Sequence, residues 1–378
     1  MQATNNSQTD QKSHPIYKRV PENEADAYAW VFATPEKIEK YYYKHPELGP
    51  NEVRARNLYV SLCMGDSLTG RGKWGERIYP LAAGHEVVCE VIAVGSEVTK
   101  IKVGDIVLFG VMRDSCKACE YCKEGSTNLC SNCDGNEKFL YGKYWGGFST
   151  HIQQPESHCY LLPKGINIRT VAPLMCAGLT VFSPIRRHCK TGYRVGIIGT
   201  GGLGHLAIQF AAKMGMTVDA FTYSNDPEKS KLLHSLGATS IINWKDDDTL
   251  KKLANTYDAL VNTIPVGMPV EKMDLLLDTL KPRSKFLNIT SPSESDKLIL
   301  SYFTLVLKEL QVIGSVVGGK KDTEDMLAFC AEHHVEPICE FYDFEDFEKA
   351  LDKLENGTPK FRCVLEIDEH SKKFNQKQ

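Results

Sequence analysis

Residues 195–208 read VGIIGTGGLGHLAI, an apolar strand-like run that leads through a glycine-rich turn into a helix-like run. A G-x-G-x-x-G pattern in this context is typical of the βαβ unit that binds a dinucleotide. The first glycine permits the tight turn, the second lets the backbone approach a pyrophosphate, and the third lets helix and strand pack closely. The free N–H groups at the start of the helix favour phosphate. We predict cofactor binding by Gly199, Thr200, Gly201, Gly202, Leu203 and Gly204, with a purely structural glycine turn as the alternative.

Around this stretch, strand-like and helix-like runs alternate from about Thr180 to Val312. Such alternation predicts βαβ units around a doubly wound parallel sheet, here over residues 180–313. Short apolar runs broken by glycine occupy residues 27–163 and predict an irregular, mainly β domain. The apolar strand predicted at residues 361–367 is expected to return to that first domain. Residues 1–20 and 368–378 are polar or charged and are expected to be a disordered tail and a frayed tail.

The composition excludes several classes of function. A chain of 378 residues fits two domains, and its net charge of −3 gives no reason to expect a nucleic-acid or anionic-membrane partner. The sequence contains no run of about 18 apolar residues, so no membrane span is expected. The first residues lack the apolar core of a secretory signal, and we therefore expect a cytoplasmic protein with reduced cysteines.

The reduced cysteines are clustered, which indicates a metal. Four of them form C-x2-C-x2-C-x7-C, namely Cys116, Cys119, Cys122 and Cys130. Thiolates at such spacing can converge on a tetrahedral zinc ion at Zn–S distances of about 2.3 Å, in a closed, structural site. An iron–sulfur cluster is the alternative, but the expected C-x3-C-P continuation is missing. Cys133 lies a further C-x2-C step along the chain and is a rival for the fourth ligand.

The end of the strand after the glycine loop distinguishes between the two nicotinamide cofactors. NAD-specific folds place an acidic residue there to hold the ribose hydroxyls. Here the strand ends in hydroxyl-bearing residues that tolerate a 2′-phosphate, and a lysine follows; the predicted contacts are Thr222, Tyr223, Ser224 and Lys229. Asp219 and Asp226 are the objections. NADP(H) is favoured over NAD(H), which stays the alternative.

Three further fragments contain zinc-ligand residue types: SLCMGD at 61–66, GHE at 84–86 and LMCAG at 174–178. Taken singly, each is more simply a buried cysteine or a core histidine. Two thiolates and an imidazole together match a catalytic zinc with one position open to substrate. Distance along the sequence does not show whether they meet.

These fragments, the cysteine run and the glycine loop occur in the order seen in zinc-containing medium-chain alcohol dehydrogenases. Within that superfamily, the chain resembles the branch of cinnamyl alcohol dehydrogenases and bacterial NADP-dependent aldehyde reductases. The resemblance spans roughly residues 27–367. It also includes Tyr79-Pro80, Gly104-Asp105, Gly146-Gly147-Phe148, the run APLMCAGLT at 172–180, Gly314-Ser315 and Gly318-Gly319.

The resemblance implies a GroES-like catalytic domain, here residues 21–179 and 314–367, interrupted by a Rossmann domain at 180–313. It implies two zinc ions per chain, and it assigns the catalytic one to Cys63, His85 and Cys176, with Glu86 able to approach the metal. Thr180 is then expected near the nicotinamide and Ser315 near the cofactor's far wall. The implied reaction transfers a hydride between NADP(H) and a small aldehyde or primary alcohol, with zinc polarising the carbonyl. Most members of this branch are homodimers.

One departure from the family concerns proton delivery. Members carry a Ser or Thr two residues after the first zinc cysteine and commonly a His three residues further on. Those positions are Gly65 and Leu68 here, and Met64 replaces another common His. The altered positions leave open a reductase of an activated C=C bond or an imine, and also a catalytically silent structural or cofactor-binding homologue. Trp74, Trp145 and Phe148 are predicted, from position, to form walls of the substrate pocket.

Overall fold

The computed structural model describes residues 14–264, 269–290, 296–357 and 359–375. They form a seven-stranded sheet, a six-stranded sheet and a separate strand pair. Within these ranges, every helix is too short or too polar to cross a bilayer.

The first part of the chain is mainly β, as predicted. Its strands are β1 (Ala27–Phe32), β2 (Ile38–Tyr43), β3 (Glu52–Ser61), β4 (Val87–Val94), β5 (Ile106–Phe109), β6 (His151–Pro155) and β7 (Tyr160–Leu161). Its helices are short: α1 (Met64–Gly70), α2 (Glu120–Lys123) and α3 (Gly135–Lys138). The strands β1 and β2 form the separate antiparallel pair. Buried and half-exposed residues alternate along the first half of β3, because one face of a sheet packs on the core.

The middle of the chain alternates helix and strand, also as predicted. The elements are α4 (Ala177–His188), β8 (Arg194–Ile198), α5 (Gly204–Lys213), β9 (Thr217–Thr222), α6 (Pro227–Ser235), β10 (Ser240–Asn243), α7 (Asp247–Lys252), β11 (Tyr257–Asn262), α8 (Val270–Asp278), β12 (Leu280–Asn288), α9 (Tyr302–Leu307) and β13 (Gln311–Gly314). The six strands pair in parallel in the order β10-β9-β8-β11-β12-β13. The order runs outward in both directions from β8, which is the doubly wound arrangement that places a ligand at the carboxyl ends of the strands. The predicted boundary at residues 179 and 180 falls inside α4.

The last part of the chain returns to the first sheet. It contains α10 (Lys320–His333), β14 (Cys339–Asp343), α11 (Phe347–Glu355), β15 (Arg362–Glu366) and α12 (Asp368–Asn375). Antiparallel pairing of β15 with β3 inserts it into the order β14-β15-β3-β4-β5-β7, and β6 also pairs with β3. The final strand therefore lies in the sheet of the first part of the chain.

Within the residues that the structure describes, both chain ends differ from the predicted tails. Residues 1–13 lie outside the described ranges, but His14 and Tyr17 are buried, and the Tyr17 ring stacks on Trp145 at 4.1 Å between centroids. At the other end, Asp368–Asn375 form α12, where the hydroxyl of Ser371 donates to the carbonyls of Asn57 and Thr150. The prediction of a frayed tail is wrong there, because one helix face is held against β3 while charged residues cover the other.

His205 on α5 joins the two domains. Its Nδ1 lies 3.1 Å from the Gly201 carbonyl oxygen, and its Nε2 accepts a hydrogen bond of 3.3 Å from the Ile338 N–H. The ring also stacks on Phe361 at 4.7 Å between centroids. Burial lowers the pKa of His205 to about 3, so the ring is neutral and both nitrogens keep these roles.

Candidate active site

Four side chains from distant parts of the sequence meet between the two large sheets. Cys63 precedes α1, His85 and Glu86 immediately precede β4, and Cys176 precedes α4. One ligand atom from each lies within 4.8 Å of all the others. The structure thus brings together the four residues that the family resemblance assigns to the catalytic zinc.

Asp66 fixes the histidine of this cluster. Its Oδ1 lies 2.7 Å from His85 Nδ1 and also accepts from the Gly84 N–H at 2.8 Å. Its Oδ2 accepts from the Cys63 N–H at 2.9 Å. With a proton on Nδ1, the lone pair of Nε2 is directed away from Asp66 and is available to a metal. Burial disfavours the protonated imidazole, but the charge and hydrogen bond of Asp66 outweigh it and raise the pKa of His85 well above its usual value.

Arg362 from β15 fixes the carboxylate. Its Nη2 lies 2.5 and 2.7 Å from the two oxygens of Glu86 and donates to the Leu62 carbonyl at 3.0 Å. Burial raises the pKa of Glu86 to about 7, although the charge of Arg362 opposes that shift. A Cβ added to Gly202 would lie 3.1 Å from Arg362 Nη1, so the same guanidinium also lies against the glycine loop.

The donor set fits zinc. Two thiols, an imidazole nitrogen and a carboxylate are the ligand types of catalytic zinc sites. A hydrogen bond from Cys176 lowers the pKa of Cys63 well below its usual range, and burial does not reverse this shift. A thiolate among buried donors is the state that binds a metal.

The second cluster consists of Cys116, Cys119, Cys122 and Cys130, whose sulfur atoms also lie within 4.8 Å of one another. The Cys116 N–H donates to the Cys130 sulfur at 3.4 Å, and the Cys119 N–H donates to the Cys116 sulfur at 3.3 Å. Backbone N–H donors from Ala118 and Cys119 lower the pKa of Cys116 to about 6, which favours a thiolate. Cys133, the rival fourth ligand, does not belong to this group of four.

The glycine loop has the geometry that a phosphate site needs. Gly199 has a φ of +92°, in the left-handed region. A Cβ on Gly204 would lie 2.0 Å from the Gly199 carbonyl oxygen, so the first turn of α5 packs closer than any side chain permits. Thr200 lies at the tip of this loop, with its hydroxyl 3.4 Å from that of Thr222 at the end of β9.

The region after β9 carries hydroxyls and cations at its surface. Thr222 Oγ1 accepts from the Ser224 N–H at 3.1 Å. The exposed ring of Tyr223 has Lys229 Nζ at 5.9 Å and Lys245 Nζ at 5.3 Å from its centroid. Lys245, from the loop after β10, was not among the predicted residues.

The two acidic residues that argued for NAD have other roles. Asp219 is fully buried, with its Oδ2 2.7 Å from Arg194 Nη2 and 2.8 Å from the Tyr257 hydroxyl. Asp226 caps α6 by accepting from the Glu228 N–H at 3.0 Å. The two remaining cofactor predictions lie one helical turn past Cys176, at Thr180, and directly after β13, at Ser315.

The hydroxyls near Cys63 do not replace the missing relay. Ser67 donates to Glu355 on α11, and the buried Thr69 hydroxyl has no hydrogen-bond partner among the described residues. Where a side chain at Gly65 would begin, the Trp74 ring lies 3.2 Å away and His85 Cε1 lies 3.4 Å away. Trp74 therefore occupies space beside the cluster that a hydroxyl-bearing side chain would need.

Of the three predicted pocket-wall residues, only Trp74 lies beside the metal cluster. Trp145 and Phe148 are 2% and 0% exposed. The first packs among tyrosines and the second against Phe347, so the prediction that they face a substrate is wrong. Their spacing along the chain gave no sign of the aromatic core that buries them.

Sequence reasoning missed three residues of the site. Asp66 follows Cys63 by three residues, and this spacing is itself a helix-capping pattern that could have indicated a carboxylate folded back on the loop. Arg362 had no comparable local signal, and neither had Arg77, whose Nη2 donates to the Trp74 carbonyl at 2.6 Å.

Comparisons with known proteins agree with this geometry. Residues 49–164 match the family model described as the alcohol dehydrogenase GroES-like domain, and residues 202–332 match the model described as zinc-binding dehydrogenase. Aldehyde reductase YahK of Escherichia coli is 32% identical over 89% of this chain and 96% of its own length.

Solved structures give the same result. A cinnamyl alcohol dehydrogenase of Sorghum bicolor superimposes with a TM-score of 0.82 at 30% identity, covering 90% of this chain and 98% of its own. The cinnamyl alcohol dehydrogenase of Helicobacter pylori, solved with NADP(H), gives a TM-score of 0.80 at 29% identity with the same coverage.

Proposed function

Because the chain belongs to the zinc-containing medium-chain alcohol dehydrogenases, in the cinnamyl alcohol dehydrogenase branch, we propose that it interconverts an aldehyde and a primary alcohol with NADP(H) and a catalytic zinc. One observation carries the proposal: Cys63, His85, Glu86 and Cys176 converge within 4.8 Å. Their carboxylate is bound to Arg362, which also lies against the dinucleotide loop. The buried guanidinium of Arg362 therefore contacts both the proposed metal site and the proposed cofactor loop.

The roles of the protein's own residues follow from their contacts. Cys63, His85 and Cys176 would hold the zinc, and Asp66 orients the imidazole. Arg362 holds Glu86 in place beside them. When bound, zinc supplies Lewis-acid polarisation of the carbonyl, and the nicotinamide supplies or accepts the hydride.

The preference for NADP(H) is supported by the charge at the end of β9. The described part of that strand end offers the hydroxyls of Thr222 and Ser224 and the nearby ammonium groups of Lys229 and Lys245. The buried Asp219 is paired with Arg194, and Asp226 caps α6 with its charge acting on Lys229, so neither carboxylate occupies the strand tip itself. A second zinc in the four-cysteine cluster would brace its loop, since four thiolates leave no open coordination position.

Proton delivery departs from the family pattern because Gly65 carries no hydroxyl. The chain must pass the proton through water or a neighbouring group, and we expect slow turnover. The same observation favours a second candidate, a homologue that binds zinc and cofactor but reduces an activated C=C bond or an imine, or has no turnover.

We also propose that the protein is a homodimer. β13 is an edge strand of the six-stranded sheet, so its outer N–H and C=O groups have no strand partner in the described structure. The adjoining helix α9 exposes Tyr302 and Phe303 at 82% and 70%. An exposed edge with a large apolar neighbour marks a protein interface. Sedimentation of the wild-type protein and of Phe303→Lys tests this, with the dimer expected only for the wild type.

The main proposal is tested by turnover and metal content together. NADPH or NADH is mixed with aromatic and aliphatic aldehydes, and the loss of absorbance is followed while zinc is assayed. We expect faster turnover with NADPH and about two zinc ions per chain. Cys63→Ala should lose activity and one zinc, whereas the control Cys159→Ala should keep both. Cofactor binding and full zinc content without turnover of any aldehyde would support the second candidate instead.

A further inference from the structure

The segment between α1 and Tyr79 passes beside the metal cluster. Its Trp74 ring lies 3.2 Å from the position of a Cβ on Gly65, and His85 Cε1 lies 3.4 Å from the same point. Residues 71–78 therefore form part of the surroundings that a substrate at the cluster meets.

Arg77 brings an unneutralised positive charge into this segment. Its Nη2 donates to the Trp74 carbonyl at 2.6 Å, and its Nη1 donates to the Glu76 carbonyl at 3.3 Å. Its Nε is buried and has no hydrogen-bond partner among the described residues. Among the described residues, no carboxylate lies within ion-pair distance of Arg77. The guanidinium therefore contacts two carbonyl dipoles and has no counter-charge.

The charge of Arg77 acts on a side chain that contacts the metal cluster. The Tyr141 ring stands on the His85 imidazole at 5.3 Å between centroids, with the planes at 77°. Burial, the largest cause, and the charges of Cys176, Asp66 and Cys63 raise the pKa of the Tyr141 phenol well above its usual value, whereas the charge of Arg77 lowers it. Arg77 is thus close enough to the cluster to act on a group that contacts a ligand.

The neighbouring charges do not neutralise Arg77. Arg71 is paired with Glu355 at 3.2 Å, and Lys73 is exposed and adds a further positive charge. The Glu76 carboxylate is exposed, and Glu76 contacts Arg77 through its carbonyl oxygen. The rim of the site is therefore positive where this segment crosses it.

We propose that Arg77 is a specificity residue that selects aldehydes carrying a carboxylate. Each Nη of Arg77 carries two protons and donates one of them to a carbonyl, so one N–H on each Nη remains for the planar, bidentate binding of a carboxylate. A substrate carboxylate bound there would supply the missing counter-charge while its carbonyl group lies at the cluster. The inference rests on the proposed function, because it names the substrate class for that same site.

The test compares two aldehydes that differ by one carboxylate, benzaldehyde and 4-carboxybenzaldehyde, with the zinc-loaded enzyme and NADPH. A charged hydrogen-bonded pair favours the carboxylated aldehyde in kcat/KM by roughly 10- to 100-fold. Arg77→Gln should bring that ratio close to unity, and Arg77→Lys should keep part of it because an ammonium lacks the fork. Lys73→Gln, four residues away in sequence, is the matched control and should keep the wild-type ratio, because the charge of this exposed lysine is screened by solvent.

A binding measurement separates the inference from the reaction. Terephthalate and benzoate each offer one carboxylate to the metal, and only terephthalate offers a second to Arg77. Calorimetric titration of the zinc-loaded protein should show terephthalate binding roughly tenfold tighter, a ratio that Arg77→Gln abolishes.

The outcomes are distinguishable. Turnover of both aldehydes at equal kcat/KM, or a preference that survives Arg77→Gln, overturns the inference and leaves the proposed reaction intact. Failure to turn over any aldehyde counts against the proposed reaction, and the ratio of the two dissociation constants then decides the role of Arg77. Thermal melting of each variant establishes that a lost ratio does not reflect unfolding.

Discussion

Arg362 Nη2 lies 2.5 and 2.7 Å from the two carboxylate oxygens of Glu86, and both side chains are withdrawn from solvent. The two residues are far apart in sequence and are brought together because β15 pairs with β3. The positive charge of Arg362 and the negative charge of Glu86 compensate each other in the interior. The pair thus joins the last strand of the chain to the metal cluster.

Removing only the arginine should therefore be costly. Arg362→Met leaves the Glu86 carboxylate buried without its counter-ion, and we expect the free energy of unfolding to fall by about 3–5 kcal/mol. Adding Glu86→Gln should recover much of the loss. Urea unfolding measures all three proteins. Arg186→Met, which removes an exposed partner of Asp325, is the control and should shift the midpoint far less. Equal shifts for the two arginines would contradict this account.

The four-cysteine cluster predicts a zinc content that depends on one cysteine and not on its neighbour. Cys122→Ser removes a donor from the group of four, so about one zinc ion per chain should be lost. Cys133→Ser should lose none, because Cys133 lies outside that group. Elemental analysis of the purified variants decides the point, and zinc loss from Cys133→Ser would make it the fourth ligand.

Stability should fall with pH in mildly acidic solution. Burial lowers the pKa of His205 to about 3, below the value of about 6.5 in an unfolded chain. Below pH 6.5 the unfolded state takes up a proton that the native ring refuses, so stability is complete above that pH and decreases as pH falls toward 3. For this residue the loss between pH 6.5 and 5 is about 2 kcal/mol.

His14, His45 and His158 have pKa values lowered to about 4 by burial and act in the same direction. The contribution of His205 is isolated by unfolding the wild type and His205→Gln at pH 7.5 and 5.0. The variant should be less stable at pH 7.5 but should lose less on acidification. An identical loss in the two proteins would show that His205 does not titrate as expected.

A hydroxyl placed at residue 65 should accelerate turnover once it has room. Gly65→Ser alone places its Cβ at 3.2 Å from the Trp74 ring, so the indole must yield by a few tenths of an ångström. We expect a modest gain for the single variant and a rise in kcat of at least about tenfold for Gly65→Ser with Trp74→Leu, because general acid–base help is worth 10²–10⁴-fold. Trp74→Leu alone is the control. A double variant no faster than that control would show that the proton has another adequate route.

Cofactor choice should depend on two lysines from different loops. Lys229→Gln and Lys245→Gln remove the ammonium groups beside Tyr223, so each should weaken NADPH binding and leave NADH binding nearly unchanged. Fluorescence titration of the two cofactors gives the ratio of dissociation constants. Lys251→Gln, on α7 and outside this group, is the control. Equal weakening of both cofactors would indicate loss of structure and not loss of a phosphate contact.

The parts of this molecule that sequence predicts are those in which neighbouring residues determine the structure. The glycine loop and the four-cysteine run were readable from their spacing, and the mainly β character of residues 27–163 was readable from its short apolar runs. The meeting of Cys63 with Cys176 was not readable from spacing, because sheet pairing determines it. The family resemblance supplied that expectation.

The errors have a shared physical cause. The segment at Asp368–Asn375 looks like a charged tail because four of its eight residues are charged, yet Ser371 is fully buried under β3. The buried Ser371 hydroxyl with two carbonyl acceptors, the ion pair of Asp368 with Arg56 and the contact of His370 with Asp343 hold the helix in place, and no pattern of periodicity reveals such contacts. Trp145 was misplaced for the same reason, since its packing partners include Tyr17 from the supposed tail.

The position of Cys176 at the first turn of α4 has a mechanical consequence. The helix packs into the six-stranded domain through Phe182, whose ring meets Phe210 of α5 at 5.2 Å, while Cys63 and His85 belong to the seven-stranded sheet's side. Leu174 and Met175, just before Cys176, pack in the same core as Val88 of the seven-stranded sheet, so the start of α4 is anchored to both sheets. A metal bound by Cys63, His85 and Cys176 would therefore add a cross-link at a point where the two sheets already share one core.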